Sequence, residues 1–306
     1  MLQYLRATKS SLTIEQKETL LEGTWVRSEK PTENEKIALI NLGVDEDILN
    51  DALDPHEVPR VESDDGMTYF ITRLPDTDDD FNDYTTPILF AISSEHLFTV
   101  SRDSLGRLWQ PFIDTTNAPT AERTRLFMLM MEAITQQYQR RVAIINRQMR
   151  ATTSDLSNLG ARDISTLSGY ERKLNDYLDA LIPTNTATEK LLSGRMLTLT
   201  EDDRDLVEDL SIDFEQLIAR CKSLLRTITN LRDSYRAVMD TRLNETIRLL
   251  TVITLALTIP TMIAGLFGMN VTLPPGAAES PYMFWAIIAI SLLFAGTMSL
   301  YFLRKR

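Results

Sequence analysis

A stripe of small and uncharged polar side chains runs along one face of a long predicted helix. The stripe consists of Ser223, Thr227, Asn230, Ser234, Ala237, Thr241 and Asn244, and one heptad later it continues through Thr251, Thr254, Thr258, Thr261 and Gly265. Hydrogen bonds to helix carbonyls, or close helix packing, explain single members of such a set. They do not explain one polar face from residue 223 to residue 265, about 60 Å of helix. A water-filled lumen lined by copies of this helix does. Since one helix cannot enclose a lumen, we expect a ring-shaped oligomer.

Any metal chemistry in this chain must rely mainly on oxygen ligands. The sequence has one cysteine, Cys221, and only two histidines, His56 and His96. It therefore cannot build a cysteine-based zinc or iron–sulfur site within one chain. A net charge of -11 argues against non-specific nucleic-acid binding. We find neither a phosphate-binding loop nor a paired nucleophile and base, so we expect no enzyme activity and no organic cofactor.

Acidic residues are concentrated at the start of the same long helix, between residues 201 and 215. The helix dipole favours acids in the first turn, but Glu208, Asp209 and Asp213 lie two to four turns further along. In a ring these carboxylates face neighbouring subunits. Two of them about 4 Å apart repel by up to a few kcal/mol at an effective dielectric of about 20. A bound divalent cation reverses that repulsion, so we expect a regulatory metal site that holds the subunits together.

Two stretches near the C-terminus are long enough to cross a membrane. Residues 249–270 and 281–303 contain no charged side chain, and a spanning helix needs about 20 residues. The alternative is a pair of buried core helices. Aromatic residues near the ends of the second stretch favour membrane spans, because they suit the bilayer interface.

Charge fixes the expected orientation of the two spans. The chain ends in Arg304, Lys305 and Arg306, whereas the loop between the spans has no lysine or arginine. The positive-inside rule therefore places both termini, and residues 1 to about 245, in the cytoplasm. We expect a multi-pass protein of the cell (inner or cytoplasmic) membrane.

The first hundred residues show a mixed α/β pattern. Thr32, with Glu35 three residues later, predicts the start of a helix that ends at Leu42. Runs rich in β-branched and aromatic residues predict strands at Gly23–Val26, Thr68–Arg73, Thr85–Ser93 and His96–Val100.

Helices are predicted from Thr120 onward. We expect one helix over Ala121–Ala151 and a second between breaks at Gly160 and Pro183. The long third helix carries an apolar heptad seam, which we expect to pack on the two preceding helices. The seam consists of Val207, Leu210, Phe214, Leu217, Cys221, Leu224, Ile228, Leu231, Tyr235 and Val238.

The first span ends in Gly268-Met269-Asn270, and here the chain resembles the CorA family of magnesium transporters. The motif, the order of the spans, the topology and the basic tail all agree, and residues 54–60 and 98–100 also resemble the family's cytoplasmic domain. The resemblance implies a funnel-shaped homopentamer in the lipid bilayer that carries Mg²⁺, with Co²⁺ or Ni²⁺ left open. Glycine permits a tight turn, and a ring of amide oxygens at Asn270 holds hydrated Mg²⁺ through its waters. Gly268, Met269 and Asn270 are thus the expected selectivity filter.

The resemblance also divides the chain and assigns further residues. It implies an α/β domain over 1–118, a helical hairpin packing on the stalk over 119–199, and a stalk helix continuous with the pore-lining first span over 200–267. An extracytoplasmic loop over 268–281, the second span over 282–303 and a basic tail over 304–306 complete it. Asn244 and Leu250 fall at the cytoplasmic pore entrance, and Thr258 stands where some members have a bulky apolar constriction. Glu279 is assigned to an acidic ring in the loop, and Asp209 is singled out as the sensor ligand for Mg²⁺.

Two alternatives stay open. A zinc-transporting branch of the same family usually alters the middle residue of the motif, and Met269 disfavours it. A membrane-anchored coiled-coil scaffold without transport has no use for the polar stripe or for the Gly-Met-Asn motif.

Overall fold

The computed structural model describes residues 2–8, 13–77, 83–115, 119–152, 160–194, 196–269 and 282–304. These residues fall into two compact units, residues 1–231 and residues 232–306. The first unit contains all the strands of the described residues, and the second contains the apolar helices near the C-terminus.

A seven-stranded sheet forms the centre of the first unit. Its strands are β1 (Leu2–Arg6), β2 (Glu15–Lys17), β3 (Trp25–Glu29), β4 (Arg60–Asp64), β5 (Met67–Thr77), β6 (Asp83–Ile92) and β7 (Leu97–Ser101). Their spatial order is β2-β1-β3-β7-β6-β5-β4, and within this sheet only the β3–β7 pair is parallel. The four predicted strands correspond to β3, β5, β6 and β7. Strands β1, β2 and β4 are not among these four predictions.

Two short helices cover one face of the sheet. They are α1 (Glu33–Asn41) and α2 (Glu46–Ala52). The predicted capping box is present, since Thr32 accepts from the Glu35 amide and Glu35 accepts from the Thr32 amide. Side chains from both helices, Leu39, Ile48 and Leu49 among them, are buried against strand residues such as Phe98.

The other face carries a larger core built by the remaining helices of this unit. These are α3 (Gly106–Thr115), α4 (Arg123–Thr152), α5 (Ala161–Leu192) and the first part of α6 (Glu201–Phe267). Aromatic rings of Trp25, Trp109 and Phe112 meet edge to face in this core.

The predicted helix break at Pro183 is wrong. Helix α5 continues through Pro183 to Leu192. Proline removes one backbone hydrogen bond from a helix. Burial compensates here, because Thr184, Ala187 and Leu191 are all buried beyond the proline.

The second unit contains the C-terminal part of α6 and α7 (Met283–Arg304). An apolar stretch of α6 is long enough to span a membrane, and only 6% of it is buried within the chain. The apolar stretch of α7 is shorter, Phe284–Met298. A soluble core helix would be mostly buried, so the exposure of α6 favours a lipid environment.

Candidate functional site

The polar stripe of α6 is exposed in the second unit, as are apolar residues beside it such as Leu257 and Met262. Thr251, Thr254, Thr258, Thr261 and Gly265 are all exposed in the isolated chain. Four stripe residues that precede them on α6 are also exposed, namely Ser234, Ala237, Thr241 and Asn244. Leu250, assigned to the pore entrance, is 58% exposed. None of the α6 residues predicted to line a lumen in this unit is therefore buried by its own chain.

A different face of the same helix segment is buried. Val252 is 6% exposed, and Ala256, Ile259 and Ile263 are half-buried. Helix α7 has a matching face on which Ser291 and Ala295 are buried. The α6 residues are four, three and four positions apart and the two α7 residues are four apart, which is the spacing of side chains on one face of a helix. The polar stripe is thus separate from the buried face of this segment of α6.

The stripe threonines use their hydroxyl hydrogens within the helix. Thr251 donates to the Ile247 carbonyl at 2.8 Å, Thr254 to Leu250 at 2.8 Å and Thr261 to Leu257 at 2.7 Å. This is the bonding that explains a single threonine in an apolar helix, and it is present at these three positions. It also has a chemical consequence. A hydroxyl that donates inward still has oxygen lone pairs that accept hydrogen bonds from outside the helix.

Two residues of the predicted filter, Gly268 and Met269, are described at the end of α6. The Gly268 amide donates to the Ala264 carbonyl at 3.0 Å and so continues the last helical turn. A Cβ added at Gly268 would lie 3.3 Å from that same carbonyl, which is a tight approach. Met269 is 54% exposed. Asn270 and Glu279 lie outside the described residues.

In the first unit, the apolar seam of α6 is buried as predicted. Its members from Val207 to Ile228 are all at most 7% exposed and belong to the large core with α4 and α5. Burial raises the pKa of the Cys221 thiol to about 12. On the same stretch, Ser223, Thr227 and Asn230 of the polar stripe are exposed. The seam and the stripe therefore occupy separate faces of the helix here.

The predicted sensor acids border a cavity between α4 and α6. The cavity has a volume of about 350 Å³ and an apolar floor that includes Leu129 and Leu210. Asp209 and Asp213 line it, whereas Glu208 is exposed outside it. Glu132 of α4 lines it as well, and sequence reasoning missed this residue. Only the pairing of α4 with α6 reveals it, and no local pattern marks the contact.

These acids do not make a metal site within one chain. Among the residues that the structure describes, no group of three or more acidic, histidine or cysteine side chains could hold a metal ion. The acids predicted for regulation are therefore incomplete as ligands without groups from elsewhere.

Residues 54–60 have a structural role. The Arg73 guanidinium on β5 donates to the carbonyls of Pro55 at 2.8 Å and Glu57 at 2.9 Å, and to the Thr85 hydroxyl at 2.9 Å. Burial lowers the pKa of Arg73. Arg60 in turn pairs with Asp51 at 2.7 Å. These contacts tie the segment to the sheet through Arg73 and to helix α2 through Asp51.

Comparisons with known proteins agree on one family. The model of the "CorA-like Mg2+ transporter protein" family matches residues 22–306. The cobalt/magnesium transport protein CorA of Methanocaldococcus jannaschii is 25% identical over 286 residues, which cover 88% of this chain and 86% of that protein.

Solved structures show the same fold. The complete structure of the CorA magnesium transporter from M. jannaschii superposes with a TM-score of 0.85 at 21% identity, covering 100% of this chain and 98% of that one. The full-length CmaX protein gives a TM-score of 0.76 at 16% identity, covering 100% and 97%. The family match spans most of the strands, the stalk helix and both apolar helices. The chain belongs to the CorA family of Mg²⁺ transporters, which are membrane proteins that move ions and are not enzymes.

Proposed function

We propose that this chain forms a ring of five copies that conducts hydrated Mg²⁺ passively across the cell membrane, with both termini in the cytoplasm. The observation that carries the proposal is the exposed polar stripe of α6, which is separate from the buried face of the same segment. Lipid chains cannot hydrogen-bond to a row of hydroxyl groups, whereas the water in a lumen can.

The chemistry of the stripe suits a hydrated cation. Waters bound to Mg²⁺ point their hydrogens outward, and the ion gives them up reluctantly. Thr251, Thr254 and Thr261 have already donated their own hydrogens to the helix, so they present acceptors to those waters. Rings of these hydroxyls can support the hydrated ion without replacing its waters.

We assign ion selection and gating to the two ends of the lumen. A ring of Asn270 amides next to Gly268 and Met269 accepts from the hydration shell at the outer mouth, and Glu279 concentrates cations there. At the inner end, Asn244 and Leu250 form the entrance, and a ring of leucines can stop ion flow by excluding water. Co²⁺ is a second candidate substrate, since the similar protein from M. jannaschii is named a cobalt/magnesium transport protein.

We assign regulation to the acidic residues on the cytoplasmic part of α6. Asp209 and Asp213, with Glu208 nearby, would bind Mg²⁺ together with groups of a neighbouring copy. Glu132 adds a carboxylate to the same cavity. Abundant Mg²⁺ then holds the stalks together and closes the lumen, and its loss lets like charges repel and opens it.

The test is ion uptake into liposomes that contain the purified full-length chain and an internal Mg²⁺ indicator. Wild-type protein should take up Mg²⁺ down an imposed gradient, and Asn270→Ala should lose most of that uptake while remaining oligomeric. Asn50→Ala, which changes an exposed asparagine on α2, is the matched control and should transport normally. Uptake of Zn²⁺ in preference to Mg²⁺ would favour the zinc-transporting branch. No uptake of any ion would favour a scaffold and contradict the proposal.

A further inference from the structure

One polar contact interrupts the apolar packing between the stalk helix α6 and helix α5. The Ser211 hydroxyl donates to the Asn185 side-chain carbonyl at 3.1 Å, and each residue is 8% exposed. Ser211 lies between Leu210 and Phe214 of the buried seam. Along α6, which the structure describes over its whole length, the only other buried polar side chain is Asp203, whose carboxylate accepts from the Thr200 amide and hydroxyl at the start of the helix.

Asn185 is itself held in place by α5 and by the sheet. Its amide nitrogen donates to Glu189 at 2.9 Å. The preceding residue, Thr184, donates to the Ala180 carbonyl at 2.8 Å and lies 2.8 Å from the Thr72 hydroxyl of β5. The contact therefore connects α6 through α5 to strand β5.

The leucine row of the apolar seam does not by itself specify the lengthwise position of α6. This row repeats the same residue every seven positions, as Leu210, Leu217, Leu224 and Leu231. The other row, Val207, Phe214, Cys221 and Ile228, varies in size, so a shift also forces these fully buried side chains to repack, which costs stability. A shift of one heptad, about 10 Å along the axis, would still bring leucine opposite the same partners. In one direction Ile218 takes the place of Ser211 and leaves the buried oxygen of Asn185 without a donor, and in the other the charged Arg204 has to be buried. Both are costly in an apolar core.

We propose that Asn185 and Ser211 are positioning residues that fix the lengthwise register of the stalk helix against α5. A single buried polar pair sets the register of coiled coils in the same way. One consequence rests on the proposed function. Gating motions of α6 must then bend or splay the helix below the pair, because sliding the whole stalk would break this hydrogen bond.

Distance measurements between spin labels test the register directly. The labels are placed on Lys190 of α5 and Gln216 of α6, both exposed, and labelled chains are diluted with unlabelled ones so that distances within one chain dominate. Cys221 can stay in place, because it is fully buried and its thiol pKa is raised to about 12. Wild type should give one distance. The apolar double variant Asn185→Leu/Ser211→Ala should give a second population whose axial offset is about 10 Å.

Two controls make the outcome decisive. Thr186→Ala removes an exposed hydroxyl that bonds only within α5 and should leave a single distance. Ser211→Ala alone is measured beside the double variant, so that a double variant that fails to fold does not leave the question open. One unchanged distance in every folded variant would overturn the proposal.

A transport readout separates positioning from plain stability. The double variant should shift the Mg²⁺ concentration that half-inhibits uptake at least threefold, whereas Thr186→Ala should not. An unchanged half-inhibiting concentration in a variant with two registers would overturn the link to gating. If wild type carries no ion while the double variant shows two registers, the proposed function fails and the register role stands.

Discussion

Replacing Thr254 by valine tests whether the stripe hydroxyls act as acceptors in a lumen. Valine keeps the branched shape of threonine but removes the oxygen, and Thr254 is exposed on α6. Its hydroxyl donates to the Leu250 carbonyl, so the change also frees one helix carbonyl that already has a backbone partner. The main loss is therefore an acceptor for water.

The expected loss of flux follows from the energy of a hydrogen bond. Each lost bond to water costs about 0.5–1.5 kcal/mol. If a hydrated ion touches two hydroxyls of the ring as it passes, the barrier rises by about 1–3 kcal/mol. Since about 1.4 kcal/mol is tenfold in rate, Mg²⁺ flux should fall roughly 5- to 150-fold.

The assay is Mg²⁺ uptake into liposomes at matched protein density. Thr254→Ser retains the acceptor and should stay close to wild type. Thr229→Val is the matched control, because Thr229 is also exposed and also donates to its own helix, at the Leu225 carbonyl, but lies off the stripe. Equal flux in Thr254→Val and wild type would refute the acceptor role.

Three further predictions test the lumen face, the gate and the sensor. Single cysteines replacing residues 251, 258 and 261 in a Cys221→Ala background should react with small hydrophilic thiol reagents or block flux. Cysteines at positions 252, 256 and 263 should not, and equal reactivity at all six positions would contradict the assigned face. Leu250→Ser should increase ion leak measured in liposomes, because a polar ring admits water, and leak no greater than that of wild type would place the gate elsewhere. Millimolar Mg²⁺ should protect the wild-type stalk from protease, and Asp209→Lys, which supplies a fixed cation, should be protected without the ion; no effect of Mg²⁺ on wild type would rule out the sensor.

Local rules predicted the elements whose signals are local. The Thr32–Glu35 capping box, the four central strands and the buried seam of α6 follow from side-chain pattern and spacing alone. The Pro183 break failed because tertiary burial of α5 outweighs the lost hydrogen bond. Strand β4 was missed because it is an edge strand whose residues 62–64 are all exposed, so it has no buried run to mark it.

The candidate site divides in the same way. The faces of α6 could be predicted because helix periodicity assigns each residue to a side. Glu132 could not, because its place beside Asp209 depends on how α4 packs on α6. The Ser211–Asn185 pair was missed for the same reason, since the partners are 26 residues apart on different helices.

The central claim is that the polar face of α6 lines a lumen shared by five copies. Its most direct test is an electron cryomicroscopy structure of the full-length chain in lipid nanodiscs with Mg²⁺. We predict a five-fold ring in which Thr251, Thr254, Thr258 and Thr261 face the central axis and Val252 faces α7. A ring with a different number of copies would contradict the claim. So would a map in which these threonines face lipid and another element lines the axis.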